Sequence, residues 1–507
     1  MQSFIDQFGE NITGVIHGFD RLIFRGTLMG IASLDQLNIW LSSQRILYKD
    51  YVPFVERLST LIKERAKEIA AEHNRPYIYL NSPNESKKDR AEAIMRQDKI
   101  KEGLVCVFAC VEPCKTFCVS KNRKLKKLIL TPQNRQCLHL YFYFNDKRFG
   151  LMHIRLQSWI PFTIQIYLNG REYLAHRLDH ANISYTKLGN CFTEIANIDK
   201  AQTFISELET KPWQNFLSLL ARRVNPLMDQ RRRLNLNNYY WTVKEAEYAT
   251  DVIFRNRAAL AKVYEPLVHH AIKHLGSRDI LRFLGKTRPS HFRGDSNGTL
   301  VHRPEGICIK FRVDENSIKM YDKEGIVLRI ETTINNPRRF KVWRKNRKRQ
   351  YAWLPMRRGI ADIPRRVELM HAANERFLEA LSVVAVPTPA KVILEPIAKR
   401  ASLRGQSVRA INPVSKNDAA LFSAIYKGGN LANGFRNRDV IKALCSTAYP
   451  NVHIKPGQLT HRLRILRAHQ LITKVPRTNL YRITQKGQHV LTATLTLRET
   501  PLQKLAA

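Results

Sequence analysis

Apolar and polar residues alternate most clearly between positions 137 and 168. The even positions are apolar in three runs: Leu138, Leu140, Phe142 and Phe144; Met152, Ile154 and Leu156; Phe162, Ile164, Ile166 and Leu168. A period of two predicts strands with one buried face. Matching those faces across an antiparallel meander fixes the register parity. His139, Tyr141, Tyr143, His153, Arg155, Gln157, Thr163, Gln165 and Tyr167 then share the opposite face.

Other segments are shorter or follow a different period. Residues 14–28 have the apolar density of a buried strand pair or a bent strand, and 104–111 read as a short, fully apolar strand. In 53–72, Phe54, Leu58, Leu61, Ile62 and Ile69 form a helical stripe. Residues 212–285 read as mainly helical, with Ala249, Val252, Ile253, Leu260 and Val263 on one face. Strands return at 307–313, 317–321, 326–334 and 339–344. A three-residue turn of Lys323, Glu324 and Gly325 pairs Met320 with Leu328 and Ile318 with Ile330. Lys319, Tyr321, Arg329 and Glu331 then lie on the other face of that hairpin.

From Arg338 onward the chain becomes basic: Arg338, Arg339, Lys341, Arg344, Lys345, Arg347, Lys348, Arg349, Arg357, Arg358, Arg365 and Arg366 oppose the single acid Asp362, with Trp343, Tyr351 and Trp353 interleaved. Residues 384–413 read as linker. Beyond 414, helices are expected at 416–428, with Asn417 or Asp418 near the cap, at 434–445 and at 456–470. In the third helix Leu459, Leu463 and Leu466 face inward, while Gln458, Thr460, His461, Arg464 and Arg467 face outward. Two short strands around a turn carry Lys474, Arg477 and Arg482, and a last helix follows Gln485. Helices followed by a two-stranded wing make a winged helix-turn-helix. Residues 462–487, RLRILRAHQLITKVPRTNLYRITQKG, resemble the corresponding stretch of MarR-type regulators. That resemblance implies duplex DNA recognition by the third helix. The chain as a whole resembles a group of large bacterial proteins of uncharacterised activity. The expected class is α+β, or mixed α/β multidomain: an antiparallel sheet core with helical insertions and a C-terminal winged helix. Its segments are 1–211, 212–383, the 384–413 linker and 414–507.

Composition sharpens this picture. Lys and Arg number 84 against 43 Asp and Glu, a net charge of +41. Such a chain repels itself unless a polyanion neutralises it, which points to nucleic acid, DNA first and RNA second. Arg155, Lys319, Arg329, the basic residues from Arg338 to Arg349, Arg436 and Arg438, and the outward residues of the winged helix are the expected contacts. No apolar run is long enough to span a membrane. The N-terminus shows no signal peptide, and the eight cysteines read as reduced thiols of a cytoplasmic, nucleoid-associated bacterial protein.

Three candidate chemistries follow. On the meander, His139 and His153 point the same way and are candidate ligands for Mg²⁺ or Mn²⁺, with Tyr141, Tyr143 or Tyr167 as nucleophile. A metal beside a nucleophilic Tyr on a sheet resembles the HUH-type nicking enzymes, although here His139 is followed by Leu140 and Tyr141 rather than by a second His. The same face also suits base stacking, with Arg155 on phosphate, or plain interdomain packing. Second, residues 317–334, SIKMYDKEGIVLRIETTI, resemble replication initiators of filamentous phages and related plasmids. This implies strand cutting by a Tyr, with Tyr321, Lys323, Arg329 and Glu331 at motif positions. Third, Asp20, Asp322 and Glu331 are candidate carboxylate ligands for a metal-dependent nuclease. Cys106, Cys110, Cys114 and Cys118 are spaced as zinc ligands can be, yet they sit in a strand-like run that favours core thiols. The function expected is DNA processing for a mobile genetic element, as a replication initiator or a transposase- or nuclease-like protein. The alternatives are a non-enzymatic winged-helix regulator and a partner of a structured RNA. The oligomeric state is not legible.

Overall fold

The computed structural model describes residues 1–124, 126–285, 296–303, 306–382, 393–403, 405–413, 415–426, 430, 434–446 and 456–499. The chain is a mixed α+β protein, as expected. Its first strands are β1 (Ile12–Thr27), β2 (Tyr77–Leu80), β3 (Gly103–Asn122), β4 (Lys127–Asp146), β5 (Gly150–Gln157) and β6 (Ile164–Asn169). A small hairpin, β7 (Tyr185–Leu188) and β8 (Cys191–Ile195), precedes β9 (Tyr240–Phe254), β10 (Ser296–Arg303), β11 (Gly306–Val313), β12 (Asn316–Lys323) and β13 (Val327–Ile334). Eleven of these form one sheet in the order β10-β11-β12-β13-β9-β1-β6-β5-β4-β3-β2. Every pairing is antiparallel except β2 with β3. One sheet thus runs through both the 1–211 and the 212–383 segments, because β1 pairs with β6 on one side and β9 on the other.

The meander has the expected parity. Phe142 opposes Ile154, which opposes Ile166, and all three are buried. On the other face Tyr143, His153 and Tyr167 lie in one row, and Tyr141, Arg155 and Gln165 in the next. The long helices Tyr51–Glu72 and Ile363–Leu381 bury their apolar stripes in the same core. The 104–111 run is the start of a far longer strand, β3, which pairs with β4 along almost its whole length.

Two readings are corrected. Residues 240–254 are strand, not helix, and the helix begins only at Arg257, capped by the Asn256 side chain. Trp241, Val243, Tyr248, Thr250, Val252, Ile253 and Phe254 are strand-forming side chains. Residues 246–254 are buried on both faces, which erases the one-sided alternation of a half-exposed strand. The β12–β13 turn is shifted as well. Met320 pairs with Ile330 and Lys323 with Val327, so the loop is Glu324, Gly325 and Ile326. Glu324 and Gly325 both have positive φ, and Asp322 accepts the Gly325 N–H at 2.8 Å. A slip of two keeps every side chain on its face. Lys319 therefore still lies beside Tyr321, Arg329 and Glu331.

Beyond the sheet, β14 (Lys341–Lys345) and β15 (Tyr351–Pro355) form a separate two-stranded arm. The proposed linker is only partly linker. Residues 384–391 lie outside the described residues, but β16 (Ala401–Leu403) and β17 (Gln406–Val408) pair, and Ile397, Val408 and Ile411 join the C-terminal core. That core gathers the helices Lys416–Ile425, Asn437–Ser446, Pro456–Ala468 and Gln485–Glu499 with the hairpin β18 (Ile472–Lys474) and β19 (Tyr481–Ile483). Ser415, rather than Asn417 or Asp418, caps the first of these helices, and Asp418 instead takes a two-pronged ion pair from Arg409. Leu459, Leu463 and Leu466 are buried, as their spacing required. Cys114 and Cys137 are joined across β3 and β4, which corrects the all-thiol reading at that pair. Among the described residues, no helix is long and apolar enough to cross a membrane.

Candidate carboxylate site

Three adjacent central strands each contribute an acid. Asp20 comes from β1, Glu247 from β9 and Glu331 from β13, and one carboxylate oxygen of each lies within 4.8 Å of the others. This is the only such cluster of potential metal ligands among the described residues. All three acids are buried. Asp20 reaches the cluster through a β-bulge. Phe19 pairs with Tyr248 and Arg21 with Glu247, so Asp20 is the extra residue. A bulge re-aims side chains, and here Asp20 and its neighbour Arg21 both meet the cluster.

The acids are embedded in cations. Arg21 donates to Glu247 at 2.8 Å and also to Glu245. The Lys319 ammonium lies 3.1 Å from Glu247 and 2.5 Å from Glu331. Tyr321 donates its hydroxyl to Glu331 at 2.9 Å. Beneath them Arg329 holds Asp251 through two hydrogen bonds of 2.6 and 2.8 Å, and reaches Asp20 at 3.3 Å. Arg171, fully buried, approaches Asp251 at 2.9 Å. Burial raises the Asp251 pKa, but Arg171 and Arg329 outweigh it and hold the carboxyl below its ordinary range. Glu331 and Glu247 hold Lys319 above its ordinary value despite burial.

Farther along the same sheet face lies a cluster of like charges, with Arg25 four residues along β1 from Arg21. Arg25, Lys244 and Arg155 come from β1, β9 and β5, and Arg358 follows β15. Arg25 has its pKa lowered by burial and then by Arg155 and Arg358. Lys244 is lowered by burial and then by Arg155. Arg155 is tied to Glu112 at 2.7 Å and Arg358 to Glu315 at 2.9 Å, whereas Arg25 has no acidic partner among the described residues. Mutually repelling cations on a sheet that also carries hard oxygen donors suit a polyanion such as a phosphodiester chain.

The expected histidine site is not assembled. Parity does put His139 and His153 on one face, but His139 opposes Gln157 while His153 opposes Tyr143. They are thus offset by four residues along β4, roughly 13 Å at ~3.3 Å per residue. Burial, then Arg155, lowers each imidazole to about 4. Tyr141 donates to Glu112, Tyr143 is buried against Phe108, and Tyr167 stacks on His153 with centroids 5.1 Å apart. Burial pushes all three phenols up, Tyr167 to about 12, so none is activated toward a phenolate. The zinc reading likewise gathers no cysteine cluster among the described residues.

Of the acids read from the sequence, Asp20 and Glu331 meet, while Asp322 serves the β12–β13 turn. Glu247 was missed because its strand was read as helix. The strand-forming side chains Tyr248, Thr250, Val252, Ile253 and Phe254 were the available signal. Several expected phosphate contacts are instead paired with acids. Arg329 is 1 % exposed, Lys319 sits between two acids, Arg344 pairs with Asp362 at 2.9 Å and Arg339 with Asp314 at 3.1 Å.

Most of the others are exposed. Arg338, Lys341, Lys345, Arg347, Lys348 and Arg349 lie on or beside the β14–β15 arm, and Arg436 and Arg438 at the start of the helix Asn437–Ser446. Lys474, Arg477 and Arg482 lie on or beside the β18–β19 hairpin. Thr460, His461, Arg464 and Arg467 line a cavity of about 340 Å³ with Gly457 and Tyr481, and Arg464 donates to Gln406. The chain matches no protein-family model, no curated protein and no solved structure.

Proposed function

We propose that this protein binds and processes nucleic acid, cutting phosphodiester bonds with a divalent metal held by Asp20, Glu247 and Glu331. The observation that carries this reading is the convergence of three buried carboxylates from three adjacent strands. Oxygen donors of this kind suit Mg²⁺ or Mn²⁺, which supplies Lewis-acid polarisation of a phosphoryl oxygen. The Lys319 ammonium now neutralises Glu247 and Glu331. A divalent cation held by the three carboxylates would take over that role. Arg25, Lys244 and Arg155 supply the charge that draws a phosphate backbone to the acids. The C-terminal unit, read as a winged helix, docks on duplex through Arg464, Arg467 and its hairpin, and DNA processing for a mobile element remains the biological setting that fits best.

A second reading has its own support. Arg21, Lys319 and Arg329 already compensate the three acids, which suits a binder without chemistry, either a regulator or an RNA partner. Incubating the full chain with single-stranded and duplex DNA and RNA, with and without Mn²⁺ or Mg²⁺, separates the two. The catalytic reading expects divalent-dependent cleavage that Glu331→Gln and Glu247→Gln abolish while nucleic-acid binding persists. Cleavage that survives both substitutions removes these carboxylates from the chemistry, and its absence under every divalent ion leaves the binding reading.

A further inference from the structure

We propose that the β14–β15 arm is a stacking platform for unpaired bases, so that the protein grips single-stranded nucleic acid there. The inference rests on the nucleic-acid reading of the chain and is independent of the carboxylate chemistry.

Register places the side chains. Lys341 pairs with Pro355, Trp343 with Trp353 and Lys345 with Tyr351. Partners across a ladder share a face, so both tryptophans, the tyrosine and two lysines lie on one side of the arm. That side points outward, since Trp343, Tyr351 and Trp353 are 54 %, 59 % and 53 % exposed. Val342, Arg344, Ala352 and Leu354 on the opposite face are half-buried, and Arg344 is anchored to Asp362. Trp40, Trp213 and Trp241 are all buried, so this chain does not expose indoles as a rule. The rings are mutually ordered. Trp343 lies 5.5 Å from Trp353, and 6.2 Å from Tyr351 in a stacked orientation.

Charge selects the occupant. Residues 341–355 contain six cations and no acid. Among the described residues, Lys341, Lys345, Arg347, Lys348 and Arg349 have no acidic partner. Arg347, Lys348 and Arg349 crown the turn, which the Asn346 side chain closes by accepting the Lys348 and Gln350 N–H groups at 2.8 and 3.0 Å. The Lys345 ammonium and the Arg365 guanidinium each lie 5.4 Å from a ring centre, over Tyr351 and Trp353. Flat rings interleaved with bare cations match a strand whose bases are free to stack and whose phosphates run alongside. Paired bases in a duplex offer no open face to such rings.

The test uses the full chain with a short oligothymidylate and a duplex of the same length. Indole fluorescence should be quenched by the single strand. Trp343→Ala and Trp353→Ala should each weaken single-strand binding by about 5- to 100-fold with little effect on duplex. Trp353→Phe, which keeps a stacking face, should stay near the parent. Both indoles are half-exposed, and unchanged melting temperatures establish that the variants fold. Single-strand affinity indifferent to both Trp→Ala changes overturns the proposal, whether or not the turn cations matter. An equal or larger loss on duplex also overturns it, in favour of a β-ribbon lying in a groove. Because the readout is binding, lost cleavage in Glu331→Gln leaves it intact, whereas failure to bind any nucleic acid overturns both proposals.

Discussion

Replacing Arg329 by Met asks whether this guanidinium serves the ligand or the fold. Arg329 is 1 % exposed and makes charge-assisted bonds to Asp251 and Asp20 and one to the Asn190 carbonyl at 2.8 Å. Removing one partner of a buried pair leaves the other charged and dry, which costs about 3–5 kcal/mol. Arg171 stays 2.9 Å from Asp251 and 3.8 Å from Asp20, so part of the charge remains compensated. The expected loss is therefore at the lower end, about 3 kcal/mol. Urea unfolding followed by indole fluorescence reads it cleanly, because every tryptophan of the chain lies between residues 40 and 353, in the sheet body and its arm. Adding Asp251→Asn removes the stranded charge, so the double variant should lose at least ~1 kcal/mol less than the sum of the two single losses. Arg329→Met with unchanged stability and a tenfold loss of nucleic-acid affinity would refute the structural role and restore Arg329 as a phosphate contact.

Two further outcomes follow. His139 and His270 are both buried, and burial lowers their pKa values to about 4 and about 3. In the unfolded chain each binds a proton near pH 6.5, so their contribution is whole above that pH and is lost as pH falls toward 4, by ~1.4 kcal/mol per unit for each imidazole. Urea midpoints between about pH 7.5 and 5 should fall accordingly, and His139→Gln should flatten the slope by about one proton; an unchanged slope counts against a neutral buried His139. In the C-terminal unit, Arg467→Ala should weaken a preferred duplex by about 1–3 kcal/mol if it reads a base edge, while Arg477→Ala should weaken all sequences alike and lower the salt slope by about one. Duplex binding unaffected by deletion of residues 393–507 assigns that unit to protein contacts instead.

What the sequence made legible was governed by how many faces each strand hides. The 137–168 meander has one apolar and one polar face, so parity alone assigned Tyr143, His153 and Tyr167 to one face, where the register sets them in one row. Parity does not give distance along the strand, and for that reason His139 and His153 looked like neighbours. The β12–β13 hairpin shows the same limit: Lys319, Tyr321, Arg329 and Glu331 were placed together, although the register was off by two. β9 lost its alternation because residues 246–254 are covered on both sides, and acids, alanines and a lysine in 244–251 imitated a helix. That misreading removed Glu247 and left Asp322, which serves the turn, as the third candidate beside Asp20 and Glu331. Asp20 carried a further signal, an acid in an otherwise apolar strand. An ion pair to Arg25 accounted for it in the sequence, whereas its partners are Arg329 and Asn190, far along the chain. Burial of a charge is legible one residue at a time; the cation that makes it tolerable is not, since antiparallel pairing sets Arg329 beside an acid from β1 and another from β9. A carboxylate cluster of this kind is therefore a property of strand order. A reading that places β9 between β1 and β13 brings Glu247 into the cluster, because among the described residues Glu247 is the only acid that pairs with both Arg21 and Lys319.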